Sequence, residues 1–431
     1  MRDLLAALGG LTTRGRCFLA AGVACALSAF VLGERDLLRV GVLLLALPVV
    51  AAVVVARTRY RLACSRRLEP ARVPAGRTAK AFLRLDNVSR LPTSVLLMED
   101  AVPYVLGGRP RFVLDRVEPG GTRDVEYTVR GELRGRYHFG PLSVWLTDPF
   151  GFCELTRSFS ARDELVVTPV VDPLPPVRLG GDWTGGGDTR ARSIATSGED
   201  DVATRTYRQG DDLRRVHWRS TARAGELMVR REEHPWQSRA TLLLDTRATA
   251  HVGEGPRSSF EWAVSAIASV AVHLGRVGYA LRLVLDGGEE TATATPASAS
   301  TTLLDGLATV ERSAGVSLRP AASRLSSVGR AGLLVAVLGA LDPDEAAVLA
   351  RTRAGAGLAV AILLDTASWG AYRPGHDARA ALEASAELLR AAGWRVLVAG
   401  YGGRLPELWS EVAPDGARAG RAPTRAAGGG P

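Results

Sequence analysis

The chain has 431 residues, long enough for two or three domains with cores of their own. Its 46% apolar and 23% charged residues are ordinary for a globular protein and exclude a fibrous or wholly disordered chain. The net charge is +9, but Lys80 is the only lysine among 54 basic residues. So uniform an arginine bias points to the base composition of the gene. No recognition motif or aromatic stacking platform accompanies the charge, so no nucleic-acid partner is expected. Cys17, Cys25, Cys64 and Cys153 form neither a disulfide framework nor a zinc pattern, which fits a reducing compartment.

Two apolar runs open the chain, Cys17 to Leu32 and Leu37 to Ala56, each close to the ~20 residues that cross a hydrocarbon core. Only Gly33-Glu34-Arg35-Asp36 separates them, so residues 1–61 are expected to form a two-helix transmembrane hairpin in the lipid bilayer. Arg14 and Arg16 precede the hairpin, and Arg57, Arg59, Arg61, Arg66 and Arg67 follow it. The positive-inside rule then puts both termini in the cytoplasm of a multi-pass membrane protein.

Residues 62–170 carry short alternating runs, among them Ala79 to Asp86, Arg111 to Leu114 and Asp124 to Val129, punctuated by Gly and Pro. Runs of this kind predict an all-β, sandwich-like antiparallel domain. The stretches Arg134-Gly135-Arg136-Tyr137-His138-Phe139-Gly140-Pro141 and Asp148-Pro149-Phe150-Gly151-Phe152 suit tight corners and a core. Residues 171–200 read as a Pro/Gly-rich linker; the glycines at 185–187 have no Gly-Lys-Ser/Thr ending and make no phosphate loop.

Residues 201–412 predict an α/β open-sheet domain. Buried-strand candidates are Ala240–Asp245, Ala280–Asp286, Gly332–Leu338, Leu358–Asp365 and Trp394–Ala399. The helical stretches between them are Phe260–Val277, Thr301–Arg312, Pro343–Arg353 and Asp377–Ala392. Continuous Val/Leu strands alternating with helices imply a mostly parallel, doubly wound sheet. Residues 413–431 read as a disordered tail. Asp245, Asp286 and Asp365 end strands and Asp342 follows another, which resembles the von Willebrand factor A fold. That fold holds Mg²⁺ with Asp-x-Ser-x-Ser, whereas this chain has Asp245-Thr246-Arg247-Ala248-Thr249. Asp245 is the one weak metal candidate. No metal and no cofactor are expected, because Arg247 stands at a ligand position.

The densest motif precedes the first of these strands. Tyr207, Arg208, Gly210, Asp211, Asp212, Arg214, His217, Trp218, Ala222 and Arg223 are its candidate functional residues, followed by Glu226-Leu227-x-Val229-Arg230. Gly210-Asp211-Asp212 suits a turn that opens a short helix, with Asp212 facing Arg215 and Arg219 facing Arg223. The segment can be a buried ion network or a binding surface for a partner or an anionic ligand. Asp212 with His217 also has the residue types of an acid/base pair, and with Ser220 those of a triad, though no oxyanion-loop signature accompanies them.

This order of residues resembles the signature of domain-of-unknown-function family 58, from which Thr221 departs where serine is usual. The resemblance extends to the hairpin, the Arg-Gly-x-Tyr and Asp-Pro-Phe-Gly patterns and the von Willebrand factor A-like region. It implies association with a MoxR-type AAA+ ATPase and, in some cases, a membrane-bound transglutaminase-like protein. The role so implied is a membrane-anchored, non-enzymatic adaptor in assembly or maturation of envelope or metal-dependent complexes. The alternative is a hydrolase or ligand-binding enzyme using the Asp212/His217 region.

Overall fold

The computed structural model describes residues 10–57, 62–93, 95–148, 150–177, 204–207, 216, 218–230, 239–295, 298–327, 332–352, 357–370 and 376–412. Two compact units emerge. The first is Met1–Val171 with Glu254–Ala268 and Leu304–Glu311, and the second is Asp172–Gly253 with Ser269–Leu303 and Arg312–Pro431. The glycines at 185–187 and the tail at 413–431 lie outside the described residues.

The apolar runs form α1 (Thr13–Leu32) and α2 (Arg35–Arg57), both long and apolar enough to cross a membrane. Gly33 joins them at φ 71°, a left-handed geometry that glycine adopts without a Cβ penalty. The helices pack closely because Gly22 and Gly41 carry no side chain. A Cβ on Gly41 would lie 3.0 Å from the Ala26 nitrogen, and one on Gly22 would lie 2.8 Å from Leu45 Cγ. Apolar side chains such as Phe30 and Val31 are left exposed.

Ten strands follow. They are β1 (Leu62–Glu69), β2 (Arg72–Pro74), β3 (Thr78–Asn87), β4 (Leu96–Asp100), β5 (Arg111–Leu114), β6 (Thr122–Arg130), β7 (Gly135–Phe139), β8 (Leu142–Thr147), β9 (Glu154–Phe159) and β10 (Asp163–Thr168). They make sheets of order β1-β3-β6, β2-β10-β7 and β5-β4-β8-β9, antiparallel except for the β2/β10 pair. The alternation in β3 turns Ala79, Ala81, Leu83 and Leu85 into two hydrophobic clusters, one completed by Phe139 and Leu165 and the other by Leu96, Met98 and Val144.

Elements of all three sheets meet at one buried ion cluster. Arg66 of β1 forks onto Asp100 at the end of β4, with Nε 3.0 Å from Oδ2 and Nη2 2.6 Å from Oδ1. Its Nη1 donates to Asp163 of β10 at 3.0 Å, and the Tyr127 hydroxyl of β6 donates to Asp100 Oδ2 at 2.5 Å. The Asp100 side chain is fully buried and that of Arg66 is 3% exposed. Burial first, then the bond to Asp100, raises the Tyr127 pKa and keeps the phenol a donor. Counted by sequence position, Arg66 belongs to the cationic flank of the hairpin; the fold buries its charge instead.

Beyond residue 203 the chain continues with β11 (Thr204–Thr206), α3 (Trp218–Ala224) and β12 (Met228–Arg230). After these come β13 (Arg239–Leu244), α4 (Ser259–Val277), β14 (Ala280–Leu285), β15 (Glu290–Ala294), α5 (Ala299–Ala308), α6 (Arg319–Ser327), β16 (Leu333–Leu338), α7 (Pro343–Thr352), β17 (Ala359–Leu364), α8 (His376–Ala391), β18 (Arg395–Ala399) and α9 (Leu405–Ser410). The six-stranded sheet has the order β15-β14-β13-β16-β17-β18, parallel except for the edge strand β15. β16 and β17 are buried along their whole length, as a sheet covered on both faces requires. Leu243, Ala336, Leu338, Ala361 and Leu363 pack with Ala321 of α6, Leu349 of α7 and Leu389 of α8. The structure adds elements that the sequence pattern does not predict, among them β11, β12, β15, α6 and α9, and it ends the helix expected over 301–312 at Ala308.

Removing the Asp100 carboxylate strands Arg66 in an apolar interior. Asp100→Ala is expected to cost ~3–5 kcal/mol of unfolding free energy. Tyr127→Phe, which removes a single bond to a charged group, is expected to cost about half as much. Denaturant unfolding of the two variants in detergent checks that order; equal losses would contradict it.

Candidate functional site

In an open parallel sheet the natural ligand crevice lies beyond the carboxyl ends of the strands, where the strand order reverses. Here the reversal falls at β13, which has β14 on one side and β16 on the other. Asp245 follows β13 and Gly339 follows β16, so the candidate metal ligand stands at the reversal.

The crevice holds the chain's own cation. Arg247 returns onto Asp245 as a fork, with Nε 2.9 Å from Oδ1 and Nη2 2.8 Å from Oδ2, and its backbone N–H donates to Oδ1 at 3.1 Å. The Gly339 N–H donates to Oδ2 at 3.1 Å, and Arg247 Nη2 reaches Ala340 O at 3.3 Å. Asp245 and Arg247 are both buried. The Ala340 N–H donates to Ala250 O at 2.7 Å, and a Cβ on Gly339 would lie only 2.2 Å from that oxygen, so only glycine fits this close approach. Bidentate Arg–carboxylate pairing meets the needs of the Asp245 oxygens that a metal would otherwise meet.

Two of the other strand-end carboxylates are also engaged. Asp286 accepts from the hydroxyls of Thr246 and Ser313, the latter at 2.7 Å. Asp342 caps α7 by accepting from the Glu345 N–H at 2.8 Å. Asp365 lies at the end of β17 and is half-buried. Among the described residues no group of three or more His, Cys, Asp or Glu side chains is arranged to hold a metal.

His251, a residue that the sequence pattern gives no reason to single out, lies against the same pair. Its Nε2 is 2.8 Å from Asp245 O. Burial pushes its pKa below 6.5 against the pull of that bond and of the Asp245 charge, and the cations Arg312 and Arg247 add to the lowering. A second residue of this kind is Arg134, in the stretch expected to serve as a corner. Its side chain is almost fully buried. It pairs with Glu261, donates to the carbonyls of Leu307 (2.8 Å) and Val310, and lies over the Phe260 ring, 5.0 Å from its centroid.

Of the dense motif, Arg208, Gly210, Asp211, Asp212, Arg214 and His217 lie outside the described residues. The described part forms a small exposed module. β11 pairs antiparallel with β12, and the Tyr207 N–H donates to Leu227 O at 2.7 Å. Val216 bridges Val229, and both are buried. The Thr221 hydroxyl accepts from the Met228 N–H at 3.0 Å, a bond that serine in its place would also make. Gly225, at φ 74°, turns the chain from α3 into β12. No residue of α3 is buried. Ala222 and Arg223 are exposed, and the Trp218 side chain is 70% exposed.

The model of the family described as "Protein of unknown function DUF58" matches residues 203–368, which take in this module and the sheet from β13 to β17. The match supports the resemblance carried by the motif. No curated protein matches the chain. Among solved structures, the putative ApaA protein from Bordetella pertussis is 13% identical over 25% of this chain and 94% of its own, with a TM-score of 0.21. The CARDB domain of a Pyrococcus furiosus protein, solved with di-metal ions, is 9% identical over 25% of this chain and 90% of its own, with a TM-score of 0.19. Likenesses this slight bear on neither fold nor activity.

Two outcomes follow from the occupied crevice. Millimolar Mg²⁺ is expected to leave the melting temperature of the full chain unchanged; a rise of several degrees would show that an ion binds the folded state. The depressed His251 pKa means that the unfolded chain binds the proton more readily. Its contribution to stability is therefore complete above the unfolded value of about 6.5 and is lost as pH falls below it. His251→Gln is expected to lose less stability than the parent between about pH 7 and about pH 5.5. A slope as steep as the parent's would contradict this.

Proposed function

We propose that the chain is a membrane-anchored, non-enzymatic adaptor working beside a cytoplasmic MoxR-type AAA+ ATPase. Its role is in assembly or maturation of envelope or metal-dependent complexes, in some settings with a membrane-bound transglutaminase-like protein. In this reading α1 and α2 form a transmembrane hairpin with both termini in the cytoplasm. Their length and their exposed apolar side chains support it. The strands after β1 form a sandwich-like domain, and the α/β region is a von Willebrand factor A-like fold that keeps Asp245 and gives up the ion. The Asp245–Arg247 pair favours a binding scaffold over metal-assisted chemistry.

The observation that carries the proposal is the exposed module around α3. Trp218 is 70% exposed, beside Arg219 and Arg223 on a helix with no buried residue, and leaves most of its apolar area in solvent. Trp and Arg are the residue types that most often anchor protein interfaces. The ATPase is the partner to which the family resemblance points.

Capture of the co-expressed ATPase by the full chain from a detergent extract tests this. Trp218→Ala is expected to weaken capture roughly thirtyfold, the worth of a ~2 kcal/mol anchor. Its melting temperature should stay within about 2 °C of the parent's, as for a surface change. Undiminished capture would remove the module from the interface.

Topology needs exposed reporters, because Cys153 is buried and burial pushes the Cys64 thiol up to about 11. In intact cells an impermeant maleimide is expected to label Glu34→Cys and to miss Tyr104→Cys. The reverse pattern would place the body outside and rule out a cytoplasmic ATPase as partner.

A further inference from the structure

We propose that the tight loop between β8 and β9 is a membrane-contact element that seats Phe150 in the headgroup–acyl boundary of the bilayer. The inference rests on the membrane-anchored reading of α1 and α2.

The loop is internally fixed. Asp148 accepts from the Phe150 N–H at 3.0 Å and from the Cys153 N–H at 2.6 Å, while the Gly151 N–H donates to Asp148 O at 3.0 Å. The same loop is tied to the residues just before α1. The Thr12 N–H donates to Phe152 O at 2.9 Å and its hydroxyl to Gly151 O at 2.6 Å. The Glu154 N–H donates to Gly10 O at 2.9 Å, and Leu11 bridges Cys153 as a strand would. Gly15, in the first turn of α1, permits the approach, since a Cβ there would lie 2.5 Å from Phe152 O.

These ties set the depth of the loop. The Phe152 ring lies 4.8 Å from that of Phe18, at the start of the apolar run. Phe18 lies five residues beyond Thr13, about 7.5 Å along the helix axis. Phe150 stacks on Phe152, with centroids 5.8 Å apart and planes 19° apart, and its own side chain is 63% exposed. The sequence pattern assigns both phenylalanines to a core; the fold leaves Phe150 outside it. An exposed aromatic ring held level with the first turns of a membrane helix lies where a bilayer changes from headgroups to acyl chains. Arg14 and Arg16 stand at the same level and suit anionic headgroups. The occupant of this surface is therefore lipid.

The test uses three full-length chains carrying a photoreactive p-benzoylphenylalanine in place of Phe150, Phe30 or Val316. Each is reconstituted in phosphatidylcholine/phosphatidylglycerol vesicles with alkyne-tagged acyl chains. Phe30 reports on the hairpin, and Val316 is an exposed residue of the second unit. Because Phe150 is exposed, the substitution is compatible with the fold. Lipid adducts at 150 are expected to approach the yield at 30 and to exceed that at 316 by about tenfold, as for an interfacial aromatic residue. Adducts at 30 with position 150 no higher than 316 would overturn this inference and leave the anchoring intact. No adducts at 30 would overturn the anchoring, and the inference with it.

Discussion

The ion pair between Asp245 and Arg247 fixes the loops at the strand ends of the second unit. It occupies the point where the strand order of the sheet reverses, which is where a doubly wound protein would receive a ligand. Around it the chain after β13, the chain after β16 and His251 are positioned by hydrogen bonds to one aspartate. Two buried charges bring little net stability, because desolvation offsets most of their attraction. Their effect is to fix one arrangement of loops and to supply internally the positive charge that a cation would bring. An enzyme of metal-assisted type needs the opposite: an open position and a carboxylate free to ligate.

A second buried cluster plays the corresponding part in the first unit. Arg66, Asp100, Tyr127 and Asp163 come from four strands of three sheets, two of which hold only three strands each. The apolar clusters around β3 supply most of the driving force, since burial of apolar area is the dominant favourable term in folding. The ion cluster sets the register in which that area is buried. Asp100 pairs with the start of β8; past the end of that strand, the loop between β8 and β9 clamps residues 10–12 and so sets where α1 begins relative to the strands. Charge therefore does geometric work twice in this protein, while the two apolar helices leave many of their apolar side chains exposed.

The sequence reveals most where burial is one-sided or complete. Leu333–Leu338 and Ala359–Leu364 are continuous apolar runs and read as strands within a residue of their bounds, because a strand covered on both faces leaves no room for polar residues. The edge strand Glu290–Ala294 escapes because Glu-Thr-Ala-Thr-Ala has no apolar run, and α6 escapes because Arg319–Ser327 is mostly small and polar. Polar residues mislead in the other direction. Arg66 and Arg134 look like surface charge by position, and only the fold brings them against Asp100 and Glu261, neither of them a near neighbour in sequence. Arg247 was legible as an obstacle to a metal. That it folds back onto Asp245 itself depends on the tight turn after β13, which no periodicity encodes. In the dense motif the mixture of charges suggested a buried network or a binding surface. Of the described part, α3 is exposed, as a seven-residue helix with arginine at two positions and no apolar stripe must be, while Val216 and Val229 are buried.

The claim at the centre is that Asp245 and Arg247 satisfy each other, and a double-mutant cycle on the full chain in detergent measures that directly. Asp245→Asn and Arg247→Met each leave one buried charge without its partner. Each is expected to cost ~3–5 kcal/mol, while the double variant loses less than the sum of the two by more than ~1 kcal/mol. Losses that simply add would mean that the two side chains act independently. The crevice at the strand ends would then be open to a ligand after all.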